Sequence, residues 1–329
     1  MSIRRTDGSS QLTSRPDVAS LITRKRSPGH IAGILASFVI AIVATVVLLP
    51  IVSTIPIATA LAVGLIYLVS HVLRAIRLAL LSIDMLGVSG RTAALMQFLT
   101  APATLMLPFK LGELFRFYEL WKLGGTAKYA IVVLLIDRMY DSLFLVPFLI
   151  VLSIPGSASP VLVFLTFLAA TLPLTVLVVG PRLLTEIQRY IVLSHNNPRT
   201  LDVLYQIDTV RELVVRAADV ARRRGPELCI VSLLIWLCEL VISLLLVYAA
   251  TVDVGAADAV DNALGFLEAR LVISWLTIDT NPQVAPALAI ATIAILLPWP
   301  MVTALYLARR RHEPRRTSAA VRSKRRVGK

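Results

Sequence analysis

Seven ionisable residues stand inside or beside long apolar runs, and they are the first candidates for chemistry: Glu113, Arg116, Asp137, Arg138, Asp141, Glu239 and Glu268. Asp137, Arg138 and Asp141 fall well inside the apolar run Tyr129–Ile154. Asp137 and Asp141 are four apart, and Arg138 and Asp141 three apart, so a helix puts them on one side. A charge at the middle of a membrane helix costs about 2.5–3.5 kcal/mol on an insertion scale. The cluster should therefore pair internally and face the bundle interior or a wet cavity. Two readings stand side by side: a polar core that switches with a proton or a substrate, and a structural ion pair that locks helix packing. Glu239 is alone in its run and needs a partner from another helix, or a proton of its own.

The densest local motif is Pro108-Phe109-Lys110-Leu111-Gly112-Glu113-Leu114-Phe115-Arg116. Pro108 and Gly112 are placed to end one segment and redirect the chain. Lys110 and Arg116 can hold a phosphate near the inner interface, and Arg74 and Arg77 end an earlier apolar run on one helical side. The plain alternative is a set of snorkelling anchors. That suits Arg74 and Arg77 and does not suit Glu113.

Other chemistries lack their residues. No Gly-x-x-x-x-Gly-Lys-Ser/Thr segment is present, so nothing marks a nucleotide site. The four histidines (His30, His71, His195, His312) have no metal-ligand spacing, and no Ser/His/Asp set stands out. Cys229 and Cys238 are nine residues apart, about 13 Å along a helix, beyond the roughly 7 Å limit between disulfide Cα atoms. No metal and no cofactor is expected.

The elements that must carry the charged residues are membrane spans. Of 329 residues, 57% are apolar and only 16% charged, against roughly 25% charged in an average soluble domain. That excludes a disordered chain, a disulfide-stapled secreted domain and an ordinary soluble enzyme. Six runs reach the roughly 20 residues that a bilayer requires: Ile31–Val52, Ile55–Leu73, Tyr129–Ile154, Val161–Val179, Leu228–Thr251 and Val284–Ala308. Thr92–Leu107 and Asn262–Thr277 are apolar but have only 16 residues each. As helices they reach about 24 Å, short of the roughly 30 Å hydrocarbon core. Pro102 is expected to break the first, while Glu268 and Arg270 interrupt the second. Both read as re-entrant segments or tilted half-helices.

Charge placement supports that reading. The net charge is +13, from 33 Lys+Arg and 20 Asp+Glu. Residues 1–30 hold six basic residues, 74–128 seven, 180–227 eight and 309–329 ten. With all four segments cytoplasmic, 31 of the 33 lie inside, as the positive-inside rule favours. If Thr92–Leu107 alone crossed the membrane, 22 basic residues would face out. The segment 252–283 instead carries Asp253, Asp258, Asp261, Glu268 and Asp279. The N-terminal stretch does not read as a cleavable leader, because its charged lead is too long and the run after it is span-length. The basic charge is thus an orientation signal. No nucleic-acid recognition element accompanies it.

The expected organisation is a basic tail (1–30), a first membrane half (31–154), a second half (155–308) and a basic tail (309–329). The second half includes a cytoplasmic loop, 180–227, with an amphipathic helix along Val203, Ile207, Val210, Val214, Ala217 and Ala221. Each half has two spans, a short segment and a span, and the two start on opposite sides. This is the pattern of inverted-repeat transporters, whose sites lie at paired short or broken segments. Leu111-Gly112-Glu113 with Arg116 in the first half corresponds to Leu264-Gly265, Glu268 and Arg270 in the second.

The run from Arg74 to Val146 resembles the flippase-like transmembrane domain of the lysylphosphatidylglycerol synthase/flippase family. The resemblance lies in Arg74 and Arg77 at a span end, in Pro108/Gly112/Glu113/Arg116 as Pro-x-x-x-Gly-Glu-x-x-Arg, and in Arg138/Asp141 as Arg-x-x-Asp within a span. The family's Gly-Gly-Leu-Gly-x-x-Glu element is similar to Asn262–Glu268, with Asn262 and Ala263 in place of the first two glycines. A Tyr-Arg pair usual in the last span is absent, and Pro298-Trp299-Pro300 lies near its place. No aminoacyl-transferase domain accompanies these motifs, so lysyl transfer is not implied. The resemblance implies movement or support of anionic or polyprenyl-linked lipids.

The expectation is therefore an all-α protein of the cytoplasmic membrane, with both termini inside. It would translocate an anionic lipid or lipid-linked saccharide, with membrane lipids as partners. Arg74, Arg77, Lys110, Gly112, Glu113, Arg116, Gly265 and Glu268 would bind substrate. Asp137, Arg138, Asp141 and Glu239 would form the intramembrane polar core. The rival expectations are a membrane enzyme of envelope lipid or glycan assembly and a non-catalytic scaffold.

Overall fold

The structure is a computed structural model and describes residues 28–106, 111–153, 160–194, 198–250 and 284–310. Every regular element among these residues is a helix: α1 Pro28–Val52, α2 Ile57–Leu86, α3 Gly90–Met106, α4 Leu111–Gly124, α5 Ala127–Ser153, α6 Pro160–Ser194, α7 Pro198–Ala250, α8 Val284–Leu296 and α9 Trp299–Arg310. Five stretches are long and apolar enough to cross a membrane: Ala32–Val52, Ile57–Leu86, Phe164–Leu193, Leu201–Leu246 and Ala285–Arg309. α5 has the length, with 27 residues, but Asp137, Arg138 and Asp141 interrupt its apolar run.

α2 is the organising helix. Its buried positions, Val63, Tyr67, Ser70, His71, Ala75, Arg77, Leu78, Leu81, Ser82 and Met85, follow the three-to-four spacing of one helical face. Against that face pack α7, α3, α5 and α8. The helix stops at Gly87, whose φ of 65° needs a residue without Cβ, and whose N–H donates to the carbonyl of Ile83.

Two apolar clusters form the core. One joins Leu78, Leu81 and Met85 of α2 to Met96, Leu120, Val133, Ile136, Val220, Leu228 and Tyr306. The other joins Val63 and Tyr67 of α2 to Ala101, Ile242, Ile290 and Ile295. Between them on α2 lies the segment from Ser70 to Arg77. Between them on α7 lies the segment from Ser232 to Glu239. A polar layer is thus held between two apolar ones. The outward faces of α1 and α6 are apolar and exposed, including Phe38, Val46, Phe164 and Leu172, as faces turned to lipid would be.

α3 and α4 form an antiparallel hairpin. Thr104 lies against Gly112, Thr100 meets Arg116, and Met96 shares a cluster with Leu120. A Cβ on Gly112 would overlap the backbone of Thr104, so glycine is what permits this approach. The open end of the hairpin lies by Leu86 of α2, which Gly124 touches. Pro102 does not break α3, which runs on to Met106. A proline within a helix removes one N–H and bends it, and buried helices in membranes accommodate this through neighbouring groups. Three residues before Pro102, the carbonyl of Leu99 accepts from the indole of Trp299 at 3.1 Å.

Two regions differ from the sequence reading, 180–227 and Val284–Ala308. The segment 180–227 holds no separate surface helix among its described residues: α6 continues through Ser194, and α7 runs unbroken from Pro198 to Ala250. Its 53 residues reach about 80 Å, far beyond a bilayer's roughly 30 Å core. Of the expected apolar face, Ala217 is buried, whereas Val203 and Val210 are exposed. Arg224 and Arg216 of this extension grip the end of α2, through the Asp84 carboxylate at 3.0 Å and the Asp84 carbonyl at 3.2 Å. The run Val284–Ala308 is two helices, α8 and α9, parted at Leu297-Pro298. The second short segment, Asn262–Thr277, lies outside the described residues, and with it the counterpart of the α3–α4 motif in the expected repeat.

Candidate functional site

Four helices bring eight charged side chains into one network. Helix spacing puts Ser70, Arg74 and Arg77 of α2 on one stripe, and Ser232 and Glu239 of α7 on another. α4 supplies Glu113 and Arg116 from its first two turns, and α5 supplies Asp137, Arg138 and Asp141. Arg77 lies nine residues before Leu86, and Asp137 ten after Ala127. The layer therefore sits about 13–15 Å inside those two helix ends.

Arg77 is the hub. Its Nε donates to Asp137 Oδ1 at 2.7 Å, and its Nη2 is 2.7 Å from Asp141 Oδ1. Its Nη1 donates to Ser232 Oγ at 3.0 Å. The Arg77 side chain is 1% exposed, which excludes a snorkelling anchor. Arg116, also buried, donates to Thr100 Oγ1 and to Glu113, each at 3.4 Å. Glu239 of α7 accepts from Ser70 Oγ at 3.0 Å and from Arg74 Nη2 at 3.2 Å.

The network reaches the surface through α4 and α5. Arg138 is 45% exposed, yet its Nη2 donates to Glu113 Oε1 at 2.6 Å and its Nη1 to Asp141 Oδ2 at 3.0 Å. Asp141 Oδ2 also stands 3.7 Å from Arg74 Nη1. Arg74 is the least satisfied of the four arginines, because its Nε is buried and has no hydrogen-bond partner among the described residues. Arg138 shares its exposed face of α5 with Ile131 and Leu135, seven and three residues earlier. A half-open cation thus emerges from an apolar helix face.

Among the described residues the formal charges of the network balance. Arg74, Arg77, Arg116 and Arg138 stand against Glu113, Asp137, Asp141 and Glu239. Burying ions is costly, and only mutual pairing with good geometry offsets the loss of water. This explains why Arg74, Arg77 and Arg116 are each matched by carboxylates. The sequence reading separated a headgroup-binding set from a polar core. In the structure Arg74, Arg77, Glu113 and Arg116 join Asp137, Arg138, Asp141 and Glu239 in one layer, and Gly112 contributes its missing Cβ. Lys110, Gly265 and Glu268 lie outside the described residues.

Three uncharged partners escaped the sequence reading: Ser70, Ser232 and Thr100. Their signal was available for two of them, since Ser70 precedes Arg74 by four positions and Ser232 precedes Glu239 by seven. A separate buried polar contact was also missed. Tyr306 of α9 donates its hydroxyl to Glu119 of α4 at 2.8 Å, and both side chains are buried. Cys229 and Cys238 are free, half-buried thiols. Among the described residues no group of His, Cys, Asp and Glu is arranged to hold a metal ion.

The fold and its apolar helices define an all-α membrane protein. No family model, curated protein or solved structure matches the chain.

Proposed function

We propose that the chain translocates an anionic lipid or lipid-linked saccharide across the cytoplasmic membrane, with the eight-residue charge layer as the polar step of the path. The observation that carries this reading is the half-exposed Arg138, tied into a buried ion-pair network and set on an apolar helix face. A lock that served packing alone would gain nothing from an open end, since exposed ion pairs contribute only about 0.2–1 kcal/mol. An open end is what an entering headgroup needs. Its tails can stay in lipid while its anion meets Arg138.

In this reading α5 is a sixth span, and the α3–α4 hairpin re-enters from the cytoplasmic side. Both termini are then cytoplasmic, as the distribution of basic residues favours. The charge layer lies about 13–15 Å in from the inner ends of α2 and α5, so a cytoplasmic-leaflet headgroup would reach it by moving inward along the path. The resemblance to flippase-like domains of the lysylphosphatidylglycerol synthase/flippase family points the same way. The reading is tested by reconstituting the protein in vesicles and following leaflet exchange of labelled anionic lipids, polyprenyl phosphates included. Acceleration over protein-free vesicles is expected for at least one class. No acceleration for any class overturns it.

A further inference from the structure

Asp141 occupies an unusual place in the network. Its two carboxylate oxygens do different work. Oδ1 is held by Arg77 at 2.7 Å, in the buried interior. Oδ2 faces the open end, 3.0 Å from Arg138 Nη1 and 3.7 Å from Arg74 Nη1. It is the one oxygen shared by the most exposed arginine and the least satisfied one. Glu239 and Glu113 hold the other sides of the same two guanidinium groups, at 3.2 Å and 2.6 Å.

We infer that Asp141 Oδ2 stands in for the anion of the ligand, and that the gap between Arg74 and Arg138 is a site for a phosphate mono- or diester oxygen. This rests on the proposed function, and names the point in the layer where the headgroup docks. Two guanidinium groups converging on one oxygen are the arrangement that phosphate recognition uses. The spare donor on Arg74, its buried Nε, would be satisfied by a second phosphate oxygen. Displaced from Arg74 and Arg138, Asp141 keeps its close ion pair with Arg77, so no carboxylate is left without a cation when the ligand enters.

The tethered carboxylate also sets how tightly the ligand is held. Asp141 is always present at high effective concentration, as any group attached to the same scaffold is. An incoming anion must therefore compete, and Asp141 can expel it again. Replacing Asp141 by Asn keeps an acceptor for Arg77 and removes the competing charge. The layer would change from formally neutral to +1, and binding should tighten while release slows.

The test measures binding to full-length protein in nanodiscs, with two probes: glycerol phosphate and water-soluble dihexanoyl-phosphatidylglycerol. Asp141→Asn should bind dihexanoyl-phosphatidylglycerol at least tenfold more tightly than the unaltered protein. Adding Arg138→Gln should abolish that gain. Equal tightening with glycerol phosphate assigns the site to any phosphate ester; tightening with the lipid alone assigns it to a lipid headgroup. Glu239→Gln removes the same amount of charge without touching Arg138, and should tighten binding less than Asp141→Asn. If Asp141→Asn does not fold, Arg138→Gln alone must weaken binding of the lipid probe tenfold. Unchanged or weaker binding by a folded Asp141→Asn overturns the inference, and so does an unchanged affinity of Arg138→Gln. Leaflet exchange is read separately. Exchange without tightening refutes the site and leaves the function standing, whereas tightening without exchange does the reverse.

Discussion

Arg77 and Asp137 face each other at 2.7 Å, from helices sixty residues apart in sequence, with side chains 1% and 5% exposed. Neither is tolerable alone at that depth, and together with Asp141 they tie α2 to α5. The pairing sets the distance between the two helices that carry the open end of the charge layer. It thus connects packing to the proposed headgroup path.

Removing the hub should therefore be severe. Arg77→Met leaves Asp137 and Asp141 without their buried cation, and breaking a buried pair costs about 3–5 kcal/mol. The expected outcome is a large fall in thermal unfolding temperature in detergent, or loss of folded protein. A companion Asp137→Asn change in the Arg77→Met background should recover part of the loss.

The α3–α4 hairpin gives a backbone test. Gly112→Ala places a methyl group into the Thr104 backbone, where nothing flexible can yield. Its folded yield should drop well below that of the unaltered protein. Gly33→Ala, at a position with open space around it, should be neutral by the same measurement.

Tyr306 and Glu119 probe stability away from the charge layer. Tyr306→Phe deletes one buried hydrogen bond to a carboxylate, a contact that contributes about 1.5–3 kcal/mol. Thermal unfolding should register that loss. Leaflet exchange by the folded fraction should keep its rate, because Tyr306→Phe leaves all eight charges of the layer in place.

Arg138 separates function from folding. Its exposed side chain should contribute little to stability, so Arg138→Gln should unfold within a few degrees of the unaltered protein. Its capture of headgroups should fail. A stable variant with leaflet exchange reduced at least tenfold is the expected outcome.

The sequence made the charge layer legible because lone charges in apolar runs are expensive and so conspicuous. Asp137, Arg138 and Asp141 advertised themselves by helical spacing, and Glu239 by its isolation. What spacing could not give was the partners. Arg77 meets Asp137, and Arg74 meets Glu239, across sixty and 165 residues respectively, and such pairings depend on which helices pack together. That is why Arg74 and Arg77, at the end of a run, read as headgroup cations without the carboxylates that stand beside them. Glu119 was overlooked for the opposite reason, since a charge in a basic segment looks solvated until Tyr306 covers it. The length of α6 and α7 was hidden because polar residues after Gly180 end the apolar pattern without ending the helix. Pro102 misled in the same manner, since α3 runs on through it to Met106.

The most direct measurement is the leaflet-exchange rate of a labelled anionic lipid and a labelled zwitterionic lipid, in vesicles holding either the unaltered protein or Arg138→Gln. The charge layer as a headgroup path predicts that the unaltered protein accelerates the anionic lipid more than the zwitterionic one, and that Arg138→Gln removes the difference. Equal exchange of both lipids, or an anionic rate untouched by Arg138→Gln in folded protein, would contradict it.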